Sequence, residues 1–69
     1  MKKKFPLPLK VNCEGLSRKL IDDLADQLRH HFRDVQICWE DEITAVDPLG
    51  YTHYEIAWRI LDRFGVRAT

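Results

Sequence analysis

Apolar and polar positions alternate along this chain with two different periods, and the switches between them divide it into five segments. Leu9, Val11 and Cys13 alternate with Lys10, Asn12 and Glu14, the period of a strand with one buried face. Pro8 puts the start of that strand at an edge or at its first position, because proline has no amide to give to a ladder. Gly15 breaks the strand, and Ser17 is placed to cap a helix that the pattern carries to about Arg33. At 100° per residue, Leu20, Ile21, Leu24, Ala25, Leu28 and Phe32 share one sector about 140° wide. Val35, Ile37 and Trp39 then alternate with Gln36, Cys38 and Glu40, which predicts a second strand. A turn around Asp41 and Glu42 leads to a short third strand from Ile43 to Val46.

The second helix is the most completely punctuated part of the chain. Asp47, Pro48, Leu49 and Gly50 suit the four positions of a type I turn. Thr52 and Glu55 have the spacing of a capping box, with Tyr51 and Ile56 as the hydrophobic staple around it. The helix is predicted to run to Phe64 and stop at Gly65, which takes a left-handed C′ conformation without steric cost. Val66 follows, in place for the apolar contact that accompanies such a stop.

These elements predict a small α+β domain, a β-α-β-β-α two-layer sandwich with both helices on one face of a three-stranded sheet. Two strand orders are open. In the favoured one the third strand lies between the first two, a split βαβ that resembles a ferredoxin-like fold without its last strand. In the other the order is 1-2-3. Residues Val66 to Thr69 are expected to be too few for a fourth strand. The predicted core is Leu9, Val11, Leu24, Leu28, Ile37, Ile43, Ile56, Ile60 and Phe64.

Length changes this picture in one respect. Residues 1–69 are expected to form a single globular domain, and a domain near that size buries only about 60% of its unfolded surface. Stability then tends to draw on a disulfide, a metal or a partner chain, so association is expected from size alone.

Charge bears on partners. Lys2, Lys3 and Lys4 belong to a basic stretch, residues 1–6, expected to be a flexible tail. Removing them from the eleven basic side chains leaves eight against eleven acidic ones, a net of −3 for residues 5–69. A nucleic-acid-binding body would carry a basic stripe, and none is evident. No segment has the length of a membrane span, and Pro6, Pro8 and Lys10 interrupt any apolar run at the basic start, which is unlike a signal peptide. Two cysteines are too few for a disulfide scaffold, and a reducing, cytoplasmic setting is expected.

The candidate chemistry is sparse. Cys13, Cys38, His30, His31 and His53 lack the C-x₂-C or H-x₃-H spacing of a structural zinc site. The strand registers turn Cys13 toward the helices and Cys38 away from them. His31 is read as a partly buried, hydrogen-bonded histidine on the first helix, and His30 as facing solvent. Glu40, Asp41, Glu42, Asp47 and Glu55 are acidic but without calcium-loop spacing, and a solvated surface is expected. Ser17 and Thr52 are already used as helix caps, so no serine, cysteine or threonine is paired with a base as a nucleophile requires. Glycines 15, 50 and 65 are too dispersed for a phosphate loop. Neither a metal nor a cofactor is expected. The predicted open sheet face carries Lys10, Asn12, Glu14, Gln36, Cys38, Glu40, Thr44 and Val46, with no aromatic for a base to stack upon.

One pattern exceeds what a helix on a sheet needs. Ile56, Ala57, Ile60, Leu61 and Phe64 face a core, and Tyr54 and Trp58 widen the apolar arc to about 200°, where a stripe a little over 100° suffices. Either the first helix covers the surplus or another chain does. The sequence therefore predicts a small protein–protein interaction or regulatory domain without catalytic chemistry, self-associating as a homodimer, with Tyr51, Tyr54 and Trp58 as interface residues. The alternative is nucleic-acid association through Lys2, Lys3, Lys4 and the basic end of the first helix. A third reading is a small enzyme whose site is shared across a dimer.

Overall fold

The computed structural model of the chain describes residues 8–39 and 41–68. The first alternating segment forms β1 (Leu9–Asn12), with Leu9 and Val11 buried and Lys10 and Asn12 exposed. Ser17 then caps α1 (Arg18–Arg29), accepting from the Leu20 amide at 3.2 Å. This helix buries Ile21, Leu24, Ala25 and Leu28. It ends earlier than the apolar period predicts. The His30 and His31 amides close it with short bonds to the carbonyls of Gln27 and Leu28, and Phe32 already belongs to β2 (Phe32–Cys38). Phe32 lies four residues beyond Leu28, so it continues the helical stripe in sequence while its backbone pairs with the sheet. Leu20, at the other end of the stripe, is 42% exposed.

β2 pairs antiparallel with β3 (Glu42–Pro48), from Phe32 opposite Pro48 to Cys38 opposite Glu42. Trp39 and Asp41 belong to the connection. Asp41 has a positive φ of 56°, a left-handed conformation of the kind found where hairpins close. Trp39 is therefore not a core-facing strand residue as its alternation suggests. It stands in the loop, 98% exposed.

Asp47 and Pro48 are likewise part of the strand and do not form the predicted type I turn. Asp47 has φ 63°, a left-handed conformation that aspartate tolerates better than most side chains. Across from this bend the alternation of β2 is broken, with Phe32 buried and Arg33 and Asp34 both exposed. The capping box does not form. α2 (Tyr51–Phe64) starts at an extended Gly50 with no side-chain cap, and the Tyr54 amide bonds the Gly50 carbonyl. Thr52 sits inside the first turn, exposed.

The far end of α2 follows the prediction. Gly65 has φ 73°; its amide bonds the Asp62 carbonyl and the Val66 amide the Leu61 carbonyl, both at 3.1 Å. These are the two bonds of a Schellman motif. They reverse the chain into β4 (Arg67–Ala68), which pairs with β1 through Val11 opposite Ala68 and Asn12 opposite Arg67. The sheet thus has four strands in the order β2-β3-β1-β4, every neighbouring pair antiparallel. The three-stranded expectation is corrected on this point: two residues suffice, because the Schellman turn delivers them directly to the outer edge of β1. Of the two strand orders weighed, the one with β3 between β1 and β2 is observed.

Both helices lie on the face that carries Leu9, Val11, Val35, Ile43 and Ala45, and one core cluster joins these residues to Leu24, Leu28, Tyr54, Ala57, Ile60 and Leu61. Ile37, Ile56 and Phe64 are half-buried at its margin. The opposite sheet face carries Lys10, Asn12, Asp34, Gln36, Cys38, Thr44 and Val46, with no aromatic among the described residues. Because β3 is internal, the strands at the edges are β2 and β4. Among the described residues no helix is long and apolar enough to cross a membrane.

Candidate functional site

α2 positions the residues singled out for an interface, and it separates them. Tyr54 faces inward and is 5% exposed. Its ring meets Phe32 edge-on at 6.3 Å and Trp58 edge-on at 6.1 Å between centroids, separations typical of favourable aromatic pairs. Tyr54 thus belongs to the core of its own chain and supports Trp58 from below. Trp58 and Tyr51 are 42% and 46% exposed. They are seven residues apart, close to two helical turns, so both rings emerge from one side of the helix. The surplus arc resolves into an inner part covered by the fold and an outer part that faces solvent.

Beside Trp58 lies a shallow groove of about 460 Å³ between α2 and β4, lined by Arg59, Leu61, Asp62, Val66 and Arg67 among others. Its floor is apolar, and its charged rim has both signs. Leu61 and Val66 are held here by the Schellman bonds, so the groove exists because the helix stops at Gly65. Lys2, Lys3 and Lys4, the residues named for a nucleic-acid role, lie outside the described residues, as does Glu40.

Two histidines that sequence separates by most of a strand pair meet at the other end of α2. The Nδ1 atoms of His31 and His53 are 2.9 Å apart, with ring centroids at 5.2 Å. His31 occupies the turn between α1 and β2, and its carbonyl accepts from the Leu49 amide at 3.0 Å. His53 sits in the first turn of α2. Both are half-buried. The reading of His31 as partly buried and hydrogen-bonded holds, although it lies past the helix, and its partner is a residue the sequence offers no way to choose. One ring must donate from Nδ1 and the other accept, so the contact requires at least one neutral imidazole. Burial, then the neighbouring His53 and His30, lower the His31 pKa below the usual histidine value. His30 is exposed, 6.4 Å from His31 between centroids.

The two cysteines fall on opposite faces, as their alternation predicts. Cys13 is buried among the core residues, and burial, reinforced by Asp41, raises its thiol pKa. Cys38 is half-buried on the open face, its sulfur 3.6 Å from the Thr44 hydroxyl. Both are free thiols. Among the described residues, no three His, Cys, Asp or Glu side chains converge in the manner of a metal centre. Asp47 forms an exposed ion pair with Arg33 at 3.4 Å.

Trp39 is the exposed aromatic that periodicity misplaces. The signal that could have found it is the acidic run that follows: an Asp able to take a left-handed conformation, two residues after the tryptophan, marks a hairpin loop. Comparison with protein-family models, curated proteins and solved structures finds no match for the chain.

Proposed function

We propose that this chain is a small protein–protein interaction or regulatory domain that pairs with a second copy of itself through the outer flank of α2. The observation that carries this reading is the pair of half-exposed rings, Tyr51 and Trp58, aligned on one side of the helix beside an apolar-floored groove. Trp58 is held in orientation by Tyr54, so little side-chain freedom is lost when it is covered. Tryptophan and tyrosine held in this way dominate binding energy at interfaces.

The groove rim suits a two-fold pair. In an isologous contact each residue meets the partner's counterpart reciprocally. Arg59 and Arg67 of one copy facing Asp62 of the other give the same favourable pairing twice. The strand order supports a likeness to the ferredoxin-like class with the last strand shortened to two residues; that likeness is proposed from topology alone.

Light scattering or sedimentation over a range of micromolar concentrations tests the reading. The chain is expected to shift toward dimer as concentration rises, and Trp58→Ala to weaken the association by about 2 kcal/mol or more, the scale of an interface hot spot. A chain that stays monomeric at high micromolar concentration refutes the proposal.

A further inference from the structure

We infer that His31 and His53 form an acid-sensitive latch that fastens the start of α2 to the turn before β2. Their Nδ1 atoms are 2.9 Å apart and their ring centroids 5.2 Å. With the centroids that far apart, each nitrogen points at the other, head-on along the line between the rings. That is the geometry of a single N–H···N hydrogen bond. One ring donates from Nδ1, and the other accepts there with its lone pair.

Acid acts on this bond in two steps. A first added proton goes to Nε2 of the donor ring, which leaves the bond in place and makes it charge-assisted. A second proton can go only to the accepting Nδ1. It removes the lone pair and sets two N–H groups and two positive charges against each other. The latch therefore holds with no added proton or with one, and opens with two; the steps belong to the pair and not to either ring. Burial, then His53 and His30, hold His31 below the usual histidine pKa. The open form thus binds more protons in acid, and the closed form loses stability as pH falls from the usual histidine value toward that lowered one.

The neighbouring charges do not offset the second proton. Among the described residues no carboxylate joins the two rings in a cluster of three. Arg29, at the end of α1, is paired with Asp26 at 2.9 Å, and Arg33 on β2 with Asp47 on β3 at 3.4 Å. His30, exposed in the same turn, adds positive charge when protonated, and Glu55 on α2 faces solvent. Opening is local because the start of α2 has no side-chain cap. Beside the latch, the Leu49 amide ties this segment to the turn through the His31 carbonyl at 3.0 Å. Tyr51 precedes His53 by two residues and moves with it. Control of that ring's place in an interface rests on the proposed pairing; the latch itself does not.

Nitrogen NMR of the histidine rings, on the full chain kept dilute and titrated from about pH 8 to about pH 4, tests the latch. His31 and His53 should share one Nδ1 proton, take up one more between them, and resist the next until well below the usual histidine range. Two rings that titrate independently within that range overturn it. Amide exchange, corrected for its intrinsic pH dependence, should show Leu49 losing protection at least about tenfold with the last proton, while amides in the middle of α1 keep theirs. His53→Ala should abolish this acid step, and His30→Ala should retain it. A step that persists in His53→Ala, or loss of protection at every amide together, refutes a local latch. Should a variant fail to fold, the ring titration of the wild-type chain decides alone. Because the dilute chain is read as single copies, failure of the latch and failure of self-association are told apart.

Discussion

The Ser17 hydroxyl satisfies one of the amides that the start of α1 leaves without an intrahelical partner, at 3.2 Å from the Leu20 nitrogen. Thr52, which has the same chemistry and a better local motif, makes no such bond because the N-cap position falls two residues earlier, at Gly50. Ser17→Ala is therefore expected to cost about 1 kcal/mol in a urea melt. Thr52→Ala should stay within about 0.5 kcal/mol of the parent, as exposed substitutions away from caps do. Equal losses at both positions would show that the Thr52 cap forms after all. The two thiols differ in a similar way. Cys13 is buried, and its raised pKa leaves little thiolate near neutrality, whereas Cys38 is only half-buried. Thiolate is the reactive form. Ellman's reagent at pH 8 should modify Cys38 in the native protein and Cys13 only after denaturant is added. Two thiols reacting together without denaturant would contradict this burial.

At the scale of elements, the end of α2 decides how the sheet is completed. The Schellman bonds at Gly65 and Val66 turn the chain back, and two residues later it is paired with β1. Space is available at Gly65, since no atom lies within 4 Å of an added Cβ, but its φ of 73° is costly for any residue with a side chain. Gly65→Ala is expected to lower stability by about 1 kcal/mol. Gly65→Asn should lose less, because asparagine visits the left-handed region more readily. Thermal melts of the two variants check the order, and an alanine variant as stable as the parent would exclude a strained left-handed cap.

For the whole molecule, a single core carries the stability, and the exposed flank of α2 contributes little to it. Leu28 is fully buried between α1 and the sheet. Leu28→Ala is expected to cost about 2–5 kcal/mol, enough to unfold much of a domain whose total stability is of order 5–15 kcal/mol. Trp58→Ala should change the stability of the isolated protomer far less while weakening association, so a chemical melt at low concentration separates the two effects. Comparable destabilisation by both changes would place Trp58 in the core and remove the reason to expect a partner there.

The alternation in β1, that of Val35 and Ile37 in β2, and the helical stripe of Ile21, Leu24, Ala25 and Leu28 were legible in the residues, because each reflects one face meeting one core. So were the Ser17 cap and the Gly65 stop, which depend on neighbours within five positions. The limits of that reading are equally specific. Phe32 continues a helical period, yet the pairing of β2 with β3 claims its backbone. Trp39 continues a strand period, yet the hairpin closes at Asp41. Thr52 and Glu55 have the spacing of a cap, yet the path from Pro48 to Gly50 starts the helix first. β4 is visible only once β1 offers it an edge. The candidate sites follow the same division: the sequence placed Trp58 on the margin of an apolar arc, but only packing separated it from Tyr54, which the fold keeps for itself. The meeting of His31 and His53 lay wholly beyond the sequence, since no local rule relates two residues on different elements until the chain has folded and the sheet has brought the start of β2 against the start of α2.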